Sequence, residues 1–335
     1  MKKLMVIPLV AAGMAAMVGC SKTPVKEAAK NDAINLANLD TAVAPGTDFY
    51  QYACGGWMKN NPLKPEYARF GTFDQLRDNN QEQIRTLIEG LSETPGQEGS
   101  VGQKIGMLFA MGMDSVKLNE DGYAPIKDQL AEINKLGTKD ELTKMVATLH
   151  KEGMAPFFAL YVGADEKNSS MNIVQLYQAG LGMGDRDYYL LEDESSQKMR
   201  EAYKNYITRL FTLIGSSPEQ ADAAVNAIMK IERGIAEVSF SREDLRDSQK
   251  NYNKMSIEGF KAKNDLLNWD VYFESMGMMD IKYLDAKQLS FYEGLSALMK
   301  NTTLDEQKYY LTFNLLSSAA PYPVSYTHLT LPTSD

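Results

Sequence analysis

Four side chains that could recognise a ligand lie close together in Arg69 to Arg77, R-F-G-T-F-D-Q-L-R: Arg69, Phe73, Asp74 and Arg77. A guanidinium presents a planar fork of donors that can hold a terminal carboxylate or peptide carbonyls. Asp74 follows Arg69 by five residues and falls in the first turn of a helical stretch, where its charge suits the helix dipole. The chemistry on offer is binding of a peptide-like ligand. Taken alone, the residues read rather as a solvated helix start with an incidental Arg–Asp pair, since surface charges are common and short matches of this kind are weak. Groups that would break a bond are scarce. A zinc hydrolase needs two histidines one turn apart, a third ligand and a glutamate to activate water. This chain has two histidines, His150 and His328. His150 is followed by Lys151-Glu152-Gly153, has no partner histidine, and reads as an exposed residue at a helix end. Neither a G-x-S-x-G, nor a Walker loop, nor a glycine-rich dinucleotide turn is present. We therefore assign this chain no catalytic residue and no metal ligand.

The elements that must position Arg69 to Arg77 are mostly helical. Thr72 and Gln75 have capping-box spacing, and Leu76, Ile84, Leu87, Ile88 and Leu91 continue it at helical period up to Pro95-Gly96. Further helices are expected over Val101–Ser115 and Pro125–Leu136, and after a second capping box at Thr138 and Glu141. The period then changes. Phe157–Val162 and Ile173–Tyr177 are β-rich, and the polar segment Gly163–Ser170 between them gives a β-hairpin. Helices resume at Ser195, after Ser217-Pro218, at Ser256, and after a third capping box at Thr303 and Glu306. The fold class is mainly α: a large helical region with a small β-hairpin. The 19 methionines are spread over apolar stripes and read as adaptable packing.

Both ends read differently. Lys2 and Lys3 followed by apolar Leu4–Val18 form a secretion signal, too short to span a bilayer comfortably. Its end, Met17-Val18-Gly19-Cys20, resembles a bacterial lipobox, which makes Cys20 the lipidation site and the membrane a partner through an N-terminal anchor. Ser21 in the next position leans towards the outer membrane. The expected organisation is a signal peptide over 1–20, a flexible tether over 21–39, the helical region over 40–322, and a non-native tail over 323–335. Val324–Thr333, V-S-Y-T-H-L-T-L-P-T, resembles the conceptual translation of a sequencing-library transposon end, which would leave His328 without biology.

Composition sets outer bounds. Hydrophobic content of 44% and charged content of 24% suit a globular fold. A net charge of −9 argues against nucleic acid as a partner. With Cys20 spent on lipid, Cys54 is left alone, and a buried thiol is its plain reading.

Three blocks carry a resemblance. The first is Pro45-Gly46 with Asp48-Phe49-Tyr50 and Cys54-Gly55-Gly56-Trp57; the second is Arg69 to Arg77. The third joins Asp165 and Asn168 to Gln178-Ala179-Gly180-Leu181 and Arg186-Asp187-Tyr188-Tyr189. Together they resemble the N-terminal portion of the neprilysin-type (M13) zinc metallopeptidases. Glu232, Ala236, Arg242 and Tyr252-Asn253-Lys254-Met255 extend the likeness and read as structural. Gly182-Met183-Gly184 stand where leucine and proline are common in the family, which suggests a looser loop. The paired glycines suggest close backbone approach or positive φ, and Trp57 a ring whose N–H finds a partner.

The resemblance implies the helical lid half of a two-domain zinc peptidase, with the catalytic half outside this chain. It implies that Arg69 and Asp74, with Phe73 and Arg77 beside them, form the S2′ side of the substrate cleft, packing being an equal reading for the latter two. It implies Zn2+ in the full-length protein, oligopeptide substrates cleaved before large apolar residues, and, in animal members, a distant partner for the cysteine matching Cys54. A cell-envelope lipoprotein that binds peptide or glycan without catalysis, and an inactive member kept for binding, stay open.

Overall fold

A computed structural model describes residues 34–63 and 69–321. The expected signal peptide, Cys20, most of the expected tether, His328 and the expected 323–335 tail lie outside the described residues. Among those residues no helix is long and apolar enough to cross a membrane. The chain divides into two compact units, up to Asn79 and from Asn80 onward.

The first unit holds α1 (Phe49–Asn60) and the start of α2 (Thr72–Glu93). Asp48 caps α1, its carboxylate accepting the Gln51 N–H at 2.9 Å. Residues expected in the tether are part of this unit: Leu36–Asn38 form a short 3-10 turn, and Gly56 lies against it. A Cβ on Gly56 would come within 2.4 Å of the Ala37 carbonyl oxygen. The paired glycines thus serve close backbone approach, and neither has positive φ. The D-F-Y-Q-Y-A-C-G-G-W stretch forms α1, an element its alternation of aromatic and small residues concealed.

In the second unit, α2 continues into α3 (Val101–Met113), α4 (Ser115–Asp121), α5 (Lys127–Lys135) and α6 (Lys139–Lys151). Strands β1 (Phe158–Asp165) and β2 (Asn168–Gln178) follow. Then come α7 (Asp187–Leu190), α8 (Glu194–Leu213), α9 (Pro218–Val238), β3 (Lys254–Ser256), α10 (Ile257–Lys263) and α11 (Trp269–Met276). The series closes with β4 (Tyr283–Ala286), α12 (Leu289–Lys300) and α13 (Leu304–Ala319). Capping boxes at Thr138/Glu141 and Thr303/Glu306 form as their spacing requires, and Ser217 caps α9 with Pro218 in its first turn.

The expected hairpin is longer, and it belongs to a four-stranded sheet of order β1-β2-β4-β3. β1 and β2 pair antiparallel from Phe158 opposite Gln178 to Asp165 opposite Asn168. Most of Gly163–Ser170 is therefore strand, and only Glu166-Lys167 turn. Much of its outer half is exposed, so polar residues there carry no period-2 signal. β2 pairs parallel with β4, which pairs antiparallel with β3. β3 and β4 have three and four residues, too few for a periodic pattern.

The core fills the space between this sheet and the helices. Its centre is aromatic: Phe158 meets Trp269 and Tyr272 at ring-centroid distances of 5.5 Å, and Phe260 meets Trp269 at 4.9 Å. The His150 ring packs edge-on to Phe158 at 4.7 Å. Its Nδ1 lies 2.6 Å from the Tyr272 hydroxyl and its Nε2 lies 3.1 Å from the Pro156 carbonyl oxygen. The expectation of an exposed histidine is therefore corrected: it does sit in the last turn of α6, but on the face turned to the core. Burial lowers its pKa to about 4. A folded-state pKa below the unfolded value gives stability that is present above about pH 6.5 and is lost as pH falls towards 4. His150→Gln, which cannot titrate, is expected to remove roughly 2 kcal/mol of that acid-side loss in urea unfolding at pH 7 and pH 4, allowing for the partly exposed ring.

Candidate functional site

In the first unit the two opening motifs are bonded to each other. The Trp57 indole N–H donates to Gln75 Oε1 at 3.3 Å, and the Gln75 amide donates to Asn61 Oδ1 at 3.2 Å. The Trp57 ring stacks on Phe70 with centroids 6.0 Å apart and planes 16° apart. The end of α1 is thus fixed against the start of α2, the backbone that carries Arg69 to Arg77. Asp40, nearly buried, anchors the other side: it accepts from Lys59 Nζ and from Gln51 Nε2, each at 3.1 Å. The Lys59 hydrogen bond leads the causes that hold its carboxyl below the usual range. Cys54 is a free thiol, half-buried rather than buried.

The structure joins two of the four candidate residues directly. Asp74 accepts the Gly71 N–H at 2.9 Å on one oxygen and an Arg77 N–H at 3.2 Å on the other. Arg77 also reaches Asp78 at 3.3 Å. Arg69 is exposed and makes no hydrogen bond or ion pair among the described residues. Phe73 is 89% exposed, which removes the packing role weighed for it within this unit. The expected capping box at Thr72 and Gln75 is corrected: the frame starts one residue earlier, with Gly71 at the cap and Asp74 returning to its N–H. Gln75 is freed from the cap and holds Trp57 and Asn61 instead. An exposed guanidinium and an exposed phenyl ring beside a braced carboxylate can engage a polar and an apolar part of one ligand.

Two polar networks in the second unit account for the remaining motif residues. In the first, Asp165, at the hairpin tip and 1% exposed, accepts from Tyr252 at 2.9 Å and from Lys254 at 2.7 Å. D-x-x-N is thus bonded to Y-N-K-M across the sheet. The Lys254 hydrogen bond is the main cause that brings the Asp165 pKa down to about 2. Lys254→Met is expected to move the Asp165 titration up towards the ordinary carboxylate range, read from carboxyl-carbon chemical shifts between pH 1.5 and 6. An unmoved titration would remove Lys254 as its cause.

In the second network, Glu232 on α9 is buried and accepts from Tyr189 at 2.7 Å and Tyr203 at 2.9 Å. Burial raises its pKa to about 8. The Tyr189 hydroxyl accepts the Met183 N–H at 3.0 Å, and Tyr310 donates to the Gly180 carbonyl at 2.8 Å. A Cβ on Gly182 would lie 1.8 Å from the Tyr203 oxygen. The loop expected to be looser at Gly182 is therefore bolted from three sides, and glycine is the residue that admits the tyrosine. Sequence reasoning placed Glu232 among structural residues but gave no sign of this tyrosine pair, which comes from distant segments. A cavity of about 640 Å³ beside this loop is lined by Gly180, Glu232, Ser239, Asn314 and Ser317, and includes none of Arg69, Phe73, Asp74 and Arg77.

Among the described residues no group of three or more His, Cys, Asp or Glu side chains could hold a metal ion. The described residues do not fit a zinc site.

The sequence model for peptidase family M13 matches residues 45–329. The chain belongs to peptidase family M13. It is 29% identical over 347 residues to endothelin-converting enzyme 1 of Mus musculus, covering 96% of this chain and 44% of the relative. It is also 29% identical over 248 residues to the endothelin-converting enzyme homolog of Locusta migratoria, covering 72% and 34%. In fold it is similar to zinc metalloprotease ZMP1 of Mycobacterium tuberculosis in complex with inhibitor. That likeness has a TM-score of 0.76 at 24% identity, over 88% of this chain and 45% of the other. PEPO from Lactobacillus rhamnosis matches with a TM-score of 0.68 at 20% identity, over 86% and 45%. The M13 chain thus spans less than half the length of these relatives, and its mainly helical fold with a small sheet is theirs over that span.

Proposed function

We propose that this chain is the N-terminal portion of a zinc metalloendopeptidase that hydrolyses oligopeptides on the N-terminal side of large apolar residues. The observation that carries the reading is the family match over residues 45–329, supported by relatives that are peptidases at 29% identity. In this reading zinc and its ligands belong to the part of the protein that the relatives have and this chain does not. Arg69 and Asp74, with Phe73 and Arg77, line the substrate side of the cleft. Arg69 is exposed and unpaired among the described residues, as a ligand-binding guanidinium must be before its ligand arrives. Cys20 carries the lipid that holds the protein to the cell envelope.

The test has two arms. The genomic locus is sequenced across the codons for Pro321 to Asp335 and onward, and the product is purified alongside this chain. Each is assayed with zinc on internally quenched oligopeptides. A frame that continues into H-E-x-x-H, with zinc-dependent cleavage by the longer product and none by this chain, is the expected result. Cleavage by this chain alone would overturn the assignment of the zinc ligands to the downstream part. A complete locus without a zinc motif would replace the enzyme with a peptide- or glycan-binding lipoprotein.

A further inference from the structure

The sequence carries two N-x-[ST] triplets, Asn168-Ser169-Ser170 and Asn301-Thr302-Thr303, and the candidate site uses neither. In an exported protein such a triplet accepts a sugar, provided that its asparagine is presented at the surface. The fold presents the two very differently.

Asn168 opens β2 at the tip of the hairpin, opposite Asp165. The next pair along the ladder is Ala164 with Asn172, so Ser169, Ser170 and Met171 bulge out without a cross-strand partner. Residues 168–172 are all exposed. An enzyme can reach this stretch without opening the ladder. Asn168 also lines a cavity of about 630 Å³, shared with Met171, Lys254 and Tyr283, where a first sugar ring has room.

The side chains suit the reaction. Ser170 Oγ donates to Asn168 Oδ1 at 2.7 Å, and the Asn168 amide nitrogen makes no hydrogen bond among the described residues. An amide nitrogen is a weak nucleophile because its lone pair is delocalised into the carbonyl. A hydroxyl held on the carbonyl oxygen stabilises the negative charge that collects there as the nitrogen loses a proton. Glu166, two positions before Asn168, keeps a carboxylate 46% exposed beside its partner Lys287, which a basic side chain of an enzyme can grip.

Asn301 lacks this setting. It is exposed at the C-terminal end of α12, but Thr302 is buried and its hydroxyl donates to the Met299 carbonyl at 3.0 Å. Thr303 Oγ1 caps α13, accepting the Glu306 N–H at 3.2 Å. Presenting this triplet means withdrawing Thr302 from the core and opening the cap of α13.

We propose that Asn168 is an N-glycosylation site, taking a sugar from a glycosyl phosphate donor through a glycosyltransferase of the compartment to which the chain is exported. Asn168 Nδ2 attacks the anomeric carbon. The N–C bond forms as the C–O bond to phosphate breaks. The phosphate leaves with the bonding electron pair, and the proton lost from nitrogen passes to a base of the transferase. No oxidant or reductant takes part. The inference rests on one part of the reading above, export to the cell envelope, and not on peptidase activity.

The protein is purified from the envelope of its own cells and digested with trypsin, which cuts after Lys167 and Arg186 and releases residues 168–186 as one peptide. Mass spectrometry with electron-transfer fragmentation then reads any added mass and its position, the state of Asn301, and the N-terminal peptide. A glycan mass on Asn168 and an unmodified Asn301 are expected. Ser170→Ala should lower occupancy of Asn168 roughly tenfold, as loss of one hydrogen bond to a developing charge implies, and Ser170→Thr should retain it. A bare Asn168 in protein whose Cys20 carries lipid overturns the inference and leaves the exported peptidase intact. An N-terminus with residues 1–19 still attached overturns export and the site with it. Sugar on Asn301 alone, or occupancy of Asn168 that survives Ser170→Ala undiminished, also sinks the proposal.

Discussion

Glu232→Gln will remove a loss of stability that the parent chain suffers between about pH 5 and pH 8. Glu232 is buried, its carboxyl oxygens accepting from Tyr189 and Tyr203, and burial raises its pKa to about 8 against an ordinary value of 4.5. Between those values the folded chain holds a proton that the unfolded chain has released. Stability from this group is therefore full below pH 4.5 and declines as pH rises through 8, a difference on the order of 4 kcal/mol for a fully buried carboxyl. Glutamine keeps the shape, accepts from one tyrosine and donates to the other, and does not titrate. In urea unfolding the variant should match the parent near pH 5 and exceed it at pH 9. His150 runs the opposite way, gaining stability between pH 4 and 6.5, so the parent profile alone mixes the two. Glu232→Gln measured in a His150→Gln background separates them. A slope that survives in the double variant would show that groups other than Glu232 and His150 cause it. Gly182→Ala attacks the same network sterically and is expected to cost 3 kcal/mol or so, because the added methyl occupies the Tyr203 hydroxyl position.

The network also shows where sequence reasoning stops. Capping boxes and helical stripes were legible because each is local: Thr138 and Glu141, or Ser217 with Pro218, settle a boundary within four residues. The sheet was half legible. β1 and β2 carry enough β-branched and aromatic residues to be recognised, whereas β3 and β4 owe their existence to pairing with each other and with β2. His150 was misjudged because the same spacing suits a solvent face and a core face, and the residues that decide, Phe158 and Tyr272, come later in the chain. At the candidate site, the types and order of Arg69, Phe73, Asp74 and Arg77 were legible, and the resemblance gave them a role. Their division into a braced Asp74–Arg77 pair and an unengaged Arg69 was not, because it depends on the cap moving to Gly71.

That division makes Arg69 the residue whose loss should separate binding from folding. If the longer protein is the zinc peptidase proposed above, Arg69→Met in it is expected to lower kcat/KM for oligopeptides by about a hundredfold, since a hydrogen bond to a charged group contributes some 1.5–3 kcal/mol and tenfold in rate is about 1.4. If Arg69 grips the substrate equally in the ground and transition states, the loss falls on KM with kcat retained. Arg69→Lys should recover only part of it, because an ammonium cannot reproduce the planar fork. Stability should stay within about 0.5 kcal/mol of the parent, since an exposed side chain with no bond among the described residues has little to lose on folding. Asp74→Asn provides the contrast. It weakens the hold on the Gly71 N–H and on Arg77 at once, and should lower stability by about 1 kcal/mol along with any effect on substrate. An Arg69→Met enzyme with unchanged kcat/KM would return Arg69 to the solvated helix start that its residues, taken alone, favour. A fall in kcat/KM matched by a fall in Tm would assign it to the fold instead. Only a kinetic loss at constant stability places the guanidinium on the substrate.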